Sequence, residues 1–181
     1  MEEKSNSIWK AGFMYGAILG LILIIYTVIL YVFNQDFNKV LRYVGFLIMA
    51  IMVFYGAKSY RDNYLDGSIN YGRALGISMI IVLVGAIISS IYFLIHIKAV
   101  DPDYMVKLLA ETEEQLLNKG LSDEQIELSL EMQKKWTKPG LMLAFGIIGS
   151  AFWGFIISLI TSIFVKKQGD PYRSAMQDIE E

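Results

Sequence analysis

The chain contains no cysteine. That absence excludes disulfides, thiolate metal sites, cysteine nucleophiles and covalent haem attachment, and it leaves the redox compartment open. Histidine occurs once, at His96. A b-type haem would lack a second imidazole, and an H-E-x-x-H zinc motif is impossible. Charge is scarce as well: Asp, Glu, Lys and Arg make up 19% of the chain and the net charge is -2, against about 25% charged residues in soluble domains. No basic surplus argues for nucleic acid as a partner. The carboxylates show neither calcium-loop spacing nor a paired arrangement for acid–base work. The expectation is no metal site, no cofactor and no catalytic residue.

What is abundant is apolar side chains, 55% of the sequence, and they are gathered into blocks. The last block, Leu141 to Val165, is uncharged over about 25 residues, where roughly 20 suffice to cross a bilayer as a helix. Within it Gly146, Ser150, Gly154, Ser158 and Ser162 recur every fourth residue and share one helix face. A soluble core helix would place Leu or Ile there. In lipid that burial gains nothing, and helices associate through the close backbone approach that small residues permit.

The first block, Gly12 to Phe33, is about 33 Å long as a helix. It exceeds the apolar core of a signal peptide and ends in Leu30-Tyr31-Val32-Phe33, a poor cleavage context, so it reads as an uncleaved span. Trp9 precedes it at headgroup level. Gly12, Gly16 and Gly20 form another small-residue row. A second span covers 40–57; it has few small residues and is expected to face more lipid, with Arg42 snorkelling to the interface. The stretch from Lys58 to Arg73 reads as a compact loop with an Asp66-Gly67 turn, and Arg61, Asp62 and Arg73 are its candidate interaction residues. The third span, 74–97, carries Gly72 and Gly76 at its start and Gly85 and Ser89 further on. His96, at its far end, is expected to be an interfacial polar residue.

Between spans three and four, residues 101–137 predict a helical hairpin outside the membrane. Asp101 is placed as an N-cap and Pro102 as the first helical residue, with Lys119-Gly120 as a stop. Ser122 and Gln125 spell a capping box for the second helix, and Leu121 can staple against Ile126. Two such helices are marginal alone in water and need packing on each other, on the bilayer or on a partner. After the fourth span, Lys166-Lys167 and a polar tail from Gln168 close the sequence. The fold class is therefore all-α: a single integral membrane four-helix bundle with spans at 12–33, 40–57, 74–97 and 141–165.

Four spans put both termini and the 58–73 loop on one side and the hairpin on the other. The sixteen Lys and Arg divide equally, so the positive-inside count alone does not orient the chain. Lys10, Lys58, Arg61, Arg73, Lys166 and Lys167 all lie close to span ends, whereas several cations opposite belong to a net-acidic hairpin. These details favour cytoplasmic termini and an outside hairpin.

Tyr60-Arg61-Asp62, Ile69-Asn70-Tyr71-Gly72-Arg73-Ala74-Leu75-Gly76 and Gly120-Leu121-Ser122-Asp123-Glu124-Gln125-Ile126 together resemble a family of small bacterial membrane proteins. That family is known only as domain of unknown function forty-one ninety-nine. Order and spacing agree over nearly the whole chain, with Asn70 where a serine would be expected. The resemblance implies a four-span inner-membrane protein and brings no activity, cofactor or catalytic residue.

Three functions can be weighed. A non-enzymatic helix-packing or partner-binding module, with a homo-oligomer or another membrane protein as partner beside the lipid bilayer, fits the small-residue rows and the amphipathic hairpin. A small-solute transporter or channel subunit is the alternative, but the span centres lack the ionisable groups that transport of polar solutes uses. An intramembrane enzyme fits least, because a serine without a base at its depth is a weak nucleophile.

Overall fold

In the structure, a computed structural model, several helix boundaries fall at residues whose chemistry explains them. Residues 2–168 are described, with side chains from residue 7 onward; the polar tail beyond Gln168 lies outside the described residues. The elements are α1 (Glu2–Val32), α2 (Lys39–Tyr64), α3 (Tyr71–Ile95), α4 (Tyr104–Leu117), α5 (Asp123–Trp136) and α6 (Pro139–Val165), and a π-helical turn, His96–Val100, prolongs α3. Helix α1 stops because Asn34 adopts φ 54, and Asn34 and Gln35 donate their N–H groups back to the Tyr31 and Leu30 carbonyls. Asparagine tolerates this left-handed turn, so it serves as a Schellman stop. Asn38 then starts α2, its side-chain oxygen accepting from the N–H groups of Val40 and Leu41. Asn70 starts α3 by accepting from Arg73 N at 2.9 Å. Asn and Ser cap equally well, so asparagine at this position keeps the function a serine would serve.

Three boundaries differ from the sequence expectation. Helix α2 runs on to Tyr64, so the 58–73 loop shrinks to residues 65–70, with Asp66 and Gly67 both at positive φ. Polar residues continue the helix where it emerges from lipid. Asp101 does not cap α4. Its carboxylate, 4% exposed, accepts two hydrogen bonds from Lys107 Nζ at 2.8 and 2.9 Å, and α4 begins after it at Tyr104. Helix α6 starts at Pro139, a good first helical residue. The hairpin's inner boundaries follow the sequence signals. Gly120 has φ 74, with Leu121 N donating to Leu116 O, and Gln125 accepts from Ser122 N.

Helix α1 from Ser7, α2, α3 with its π turn, and α6 are long and apolar enough to cross a bilayer. Their outer faces carry exposed Phe13, Leu21, Ile29, Leu47, Ile51, Ile91, Phe152 and Phe164. Continuous apolar surface of this kind is unsuited to water and matches acyl chains. The chain is a multi-pass membrane protein in contact with lipid.

Helix α3 is central, packed most extensively against α1 on one flank and α6 on the other, while α2 touches all three. The core lies towards the side of the chain termini. It is built from Ala11, Tyr15 and Leu19 of α1, Val53, Ala57 and Tyr60 of α2, Ala74, Ile77, Ile81 and Val82 of α3, and Val165. Helix α2 gives one face to this core and keeps Val40, Tyr43, Leu47, Ile51 and Tyr55 exposed on the other, as expected of a span that faces lipid. Its Gly56, overlooked as a packing residue, is buried so tightly that an added methyl would come within 2.7 Å of Ile81 and 3.0 Å of Tyr15. Towards the hairpin side burial thins out. The buried residues of α6 all fall at or after Gly154, and α4 buries none.

Candidate functional site

On the terminal side, the short loop and the end of α6 form a clasp. Ile69 and Lys167 exchange both backbone hydrogen bonds, at 2.9 and 3.1 Å. Arg61 Nη1 donates to Val165 O at 3.0 Å, placing a cation on the negative end of α6. The same guanidinium grips Asp62 through Nε and Nη2 at 2.7 and 3.1 Å. Arg73 lies over the Tyr60 ring, 5.9 Å from its centroid, and donates to its hydroxyl at 3.3 Å. Of the three candidate interaction residues, Arg61 and Asp62 meet each other and Arg73 stands on Tyr60.

The small residues divide by depth. Gly12, Gly16 and Gly20 are buried against α3, where a methyl at each would overlap Ile80, Val84 and Ile88 in turn. Gly85 lies against Leu19, 2.9 Å from an added methyl, and Ser89 turns its hydroxyl onto Gly85 O at 2.7 Å. On α6, Gly154 abuts Val82, and Ser158 and Ser162 are buried, with Ser162 Oγ donating to Ser158 O. Ser150 is half-buried. Gly76, also half-buried, would make only an ordinary contact, 3.9 Å from Ile8. Gly72 and Gly146 depart from the expected packing role. Both are exposed: Gly72 sits in the first turn of α3, and Gly146 would make only an ordinary contact, 3.7 Å from Ser90 Oγ of α3.

On the hairpin side the structure assembles polar groups that sequence reasoning scattered. His96 is 1% exposed: it lies at the π turn that ends α3 and is buried among neighbouring side chains. Tyr31 meets its ring edge to face at 5.0 Å, Tyr104 packs at 6.3 Å, and Tyr92 hydroxyl lies 3.4 Å from Nδ1. Its Nε2 has no hydrogen-bond partner among the described residues. Asp36, from the α1–α2 connection, sits in the field of His96, Asp101 and Lys107. Burial holds its carboxyl above the usual carboxylate range, opposed by the nearby His96. Burial also pushes the Tyr104 hydroxyl up, and the charge of Asp36 adds to it. Lys107 is raised by the hydrogen bonds it donates to Asp101. Among the described residues no group of three or more His, Asp or Glu is placed to hold a metal ion.

A family model described as a protein of unknown function (DUF4199) matches residues 14–167. The chain belongs to the DUF4199 family. No curated protein and no solved structure matches it. The DUF4199 match runs from the second turn of the first span to the clasp at Lys167, so it takes in the hairpin, the His96 cluster and every small-residue row except its first member, Gly12.

Beside the His96 cluster of this DUF4199 chain, the parting of α1, α2 and α3 opens a crevice of about 260 Å³ lined by Leu23, Tyr26, Thr27, Leu30, Asp36, Arg42, Gly45 and Ser89. Neither the crevice nor the buried histidine was readable in the sequence. A π turn leaves no periodic signal, and a crevice between helices depends on their packing. The one available hint was Gly45, a small residue in a span that otherwise has few.

Proposed function

We propose that this protein is a non-enzymatic membrane module that acts by binding another copy of itself or a second membrane protein. The observation that carries the reading is the outer half of α6. From Pro139 to Trp153 it buries nothing, yet it presents Gly146, Gly149 and Ser150, the residue types through which membrane helices approach one another. A methyl added at Gly149 would meet nothing within 4 Å. The hairpin continues this surface, with Trp136 packed on Phe145 at 5.4 Å and exposed Val106, Leu117, Leu128 and Met132. Two helices that bury so little are marginal alone, and a partner would cover them. Among the described residues the buried Ser78 and Ser158 hydroxyls have no hydrogen-bond partner, and a serine without a base is a weak nucleophile.

The reading places the protein in a bacterial inner membrane with cytoplasmic termini and the hairpin outside. Small-solute transport is the second reading, favoured by one observation: His96 is a buried ionisable group at the mouth of the bundle, and such groups mark solute paths. Because the chain lacks cysteine, a single Gly149→Cys substitution gives a clean crosslinking site. Oxidation in native membranes is expected to yield a homodimer, or affinity capture a stoichiometric membrane partner. Monomer alone in both experiments, with solute flux in reconstituted vesicles, would replace assembly by transport.

A further inference from the structure

The crevice between α1, α2 and α3 has a divided chemistry. Its wall is apolar in effect, because each hydroxyl along it is already turned onto a backbone carbonyl. Tyr26 donates to Leu41 O at 2.6 Å, Thr27 to Leu23 O at 3.0 Å and Ser89 to Gly85 O at 2.7 Å. Leu23, Leu30 and the bare backbone of Gly45 complete it. From Leu30 to Leu23 the slot descends about 10 Å along α1, into the depth that acyl chains occupy. Its mouth is charged with both signs. Asp36 stands in the connection between the first two spans and Arg42 in the first turn of α2, which puts both at headgroup level. Although they line the same opening, neither forms an ion pair with the other or with any other described residue.

The geometry points to a binding site for one zwitterionic aminophospholipid, with its phosphate on Arg42, its ammonium on Asp36 and an acyl chain in the crevice. A headgroup carrying both charges a few bonds apart spans two opposite charges that do not reach each other. A solely anionic lipid would satisfy Arg42 and meet repulsion at Asp36. The site stands apart from the assembly surface on α6, and a protein that fails to crosslink there can still select the lipid.

The test uses the full-length protein in detergent with equal amounts of phosphatidylethanolamine and phosphatidylglycerol, read by native mass spectrometry. One phosphatidylethanolamine is expected to be retained over phosphatidylglycerol by roughly tenfold, the worth of one charge-assisted contact. Asp36→Asn should bring that ratio close to one, and Arg42→Gln should lower retention of both lipids. Gly45→Leu should abolish both, since an added methyl there meets only the Tyr26 ring at 3.7 Å and the side chain has the crevice to enter. Equal retention of the two lipids by the unaltered protein, or a preference that survives Asp36→Asn, overturns the proposal. So does unchanged retention in a folded Gly45→Leu protein. Should that variant misfold, Asp36→Asn, which keeps the side chain's shape, still decides.

Discussion

Gly154 of α6 rests directly on Val82 of α3, so close that a methyl on the glycine would collide with both branches of the valine. The contact joins the two helices where they pack, one turn above the buried Ser78 and Ser158 hydroxyls. Substituting Gly154→Leu forces the helices apart, and overpacking of this kind costs about 1–3 kcal/mol. The melting temperature in detergent is expected to fall. Gly149→Leu, with open space around its Cβ, should leave monomer melting unchanged while weakening any non-covalent dimer formed through α6. Equal melting of the two variants would show that the Gly154 row does not hold α6 to α3.

Arg61 joins the end of α2 to the end of α6 through the Val165 carbonyl. Its guanidinium is well covered by neighbours, at 14% side-chain exposure, so loss of this charged hydrogen bond is expected to cost about 1–2 kcal/mol. Arg61→Ala should speed hydrogen exchange at the Lys167 amide, which is bonded to Ile69 O. Arg61→Lys should restore only part of the protection, because an ammonium cannot hold Asp62 and Val165 in one planar fork.

The fate of these residues shows what the sequence could disclose. Four spans, their order and the hairpin were legible because apolar runs, Gly120 and the Ser122–Gln125 pair are local signals. The roles of Arg61 and His96 were not. Arg61 acts on Val165, 104 residues away, and nothing local marks the partner. His96 was read as interfacial because it ends an apolar run, and its burial at the π turn has no sequence signal. Asp101 looked like a cap by position. Lys107, six residues on, outcompetes the backbone for its carboxylate. Gly146 and Gly154 share one sequence row, yet Gly146 is exposed and Gly154 is buried against Val82.

Asp36 and Lys107 give the hairpin side a distinct pH response. Burial raises the Asp36 carboxyl above its ordinary 3.8, so the folded state favours the protonated form. The stabilising contribution is complete below 3.8 and is lost as pH rises through the higher folded-state value. Asp36→Asn should therefore remove this loss, so that stability in detergent falls less, or rises more, with pH above 3.8 than in the unaltered protein. An identical slope in both proteins would mean that Asp36 is solvated like a free side chain.

At the alkaline end, the hydrogen bonds to Asp101 raise Lys107 above 10.5. Its contribution is present below that value and disappears as pH climbs through the folded-state value. Lys107→Met should leave Asp101 buried without its cation. Removing a partner from such a carboxylate exposes its desolvation cost, so proteolysis within α4 and α5 is expected to accelerate at neutral pH. Double substitution with Asp101→Asn should recover part of the resistance; failure to recover would show that Lys107 supports the hairpin by some contact other than this pair.

The proposed orientation rests on charges near span ends, and the absence of cysteine makes it directly measurable. Lys58, Arg61 and Arg73 cluster at the ends of α2 and α3 on the terminal side, next to Lys166 and Lys167. Cations close to span ends favour the cytoplasm, whereas Lys107 on the other side is neutralised within the hairpin by Asp101. Glu124→Cys, exposed in the first turn of α5, and Asn63→Cys, exposed near the end of α2, report opposite faces without competing thiols. In intact cells a membrane-impermeant maleimide should label the cysteine at position 124 and reach that at position 63 only after the membrane is opened. The reverse pattern would place the clasp outside and the His96 cluster and crevice mouth within the cytoplasm, where the clustered cations would no longer explain how the chain is held.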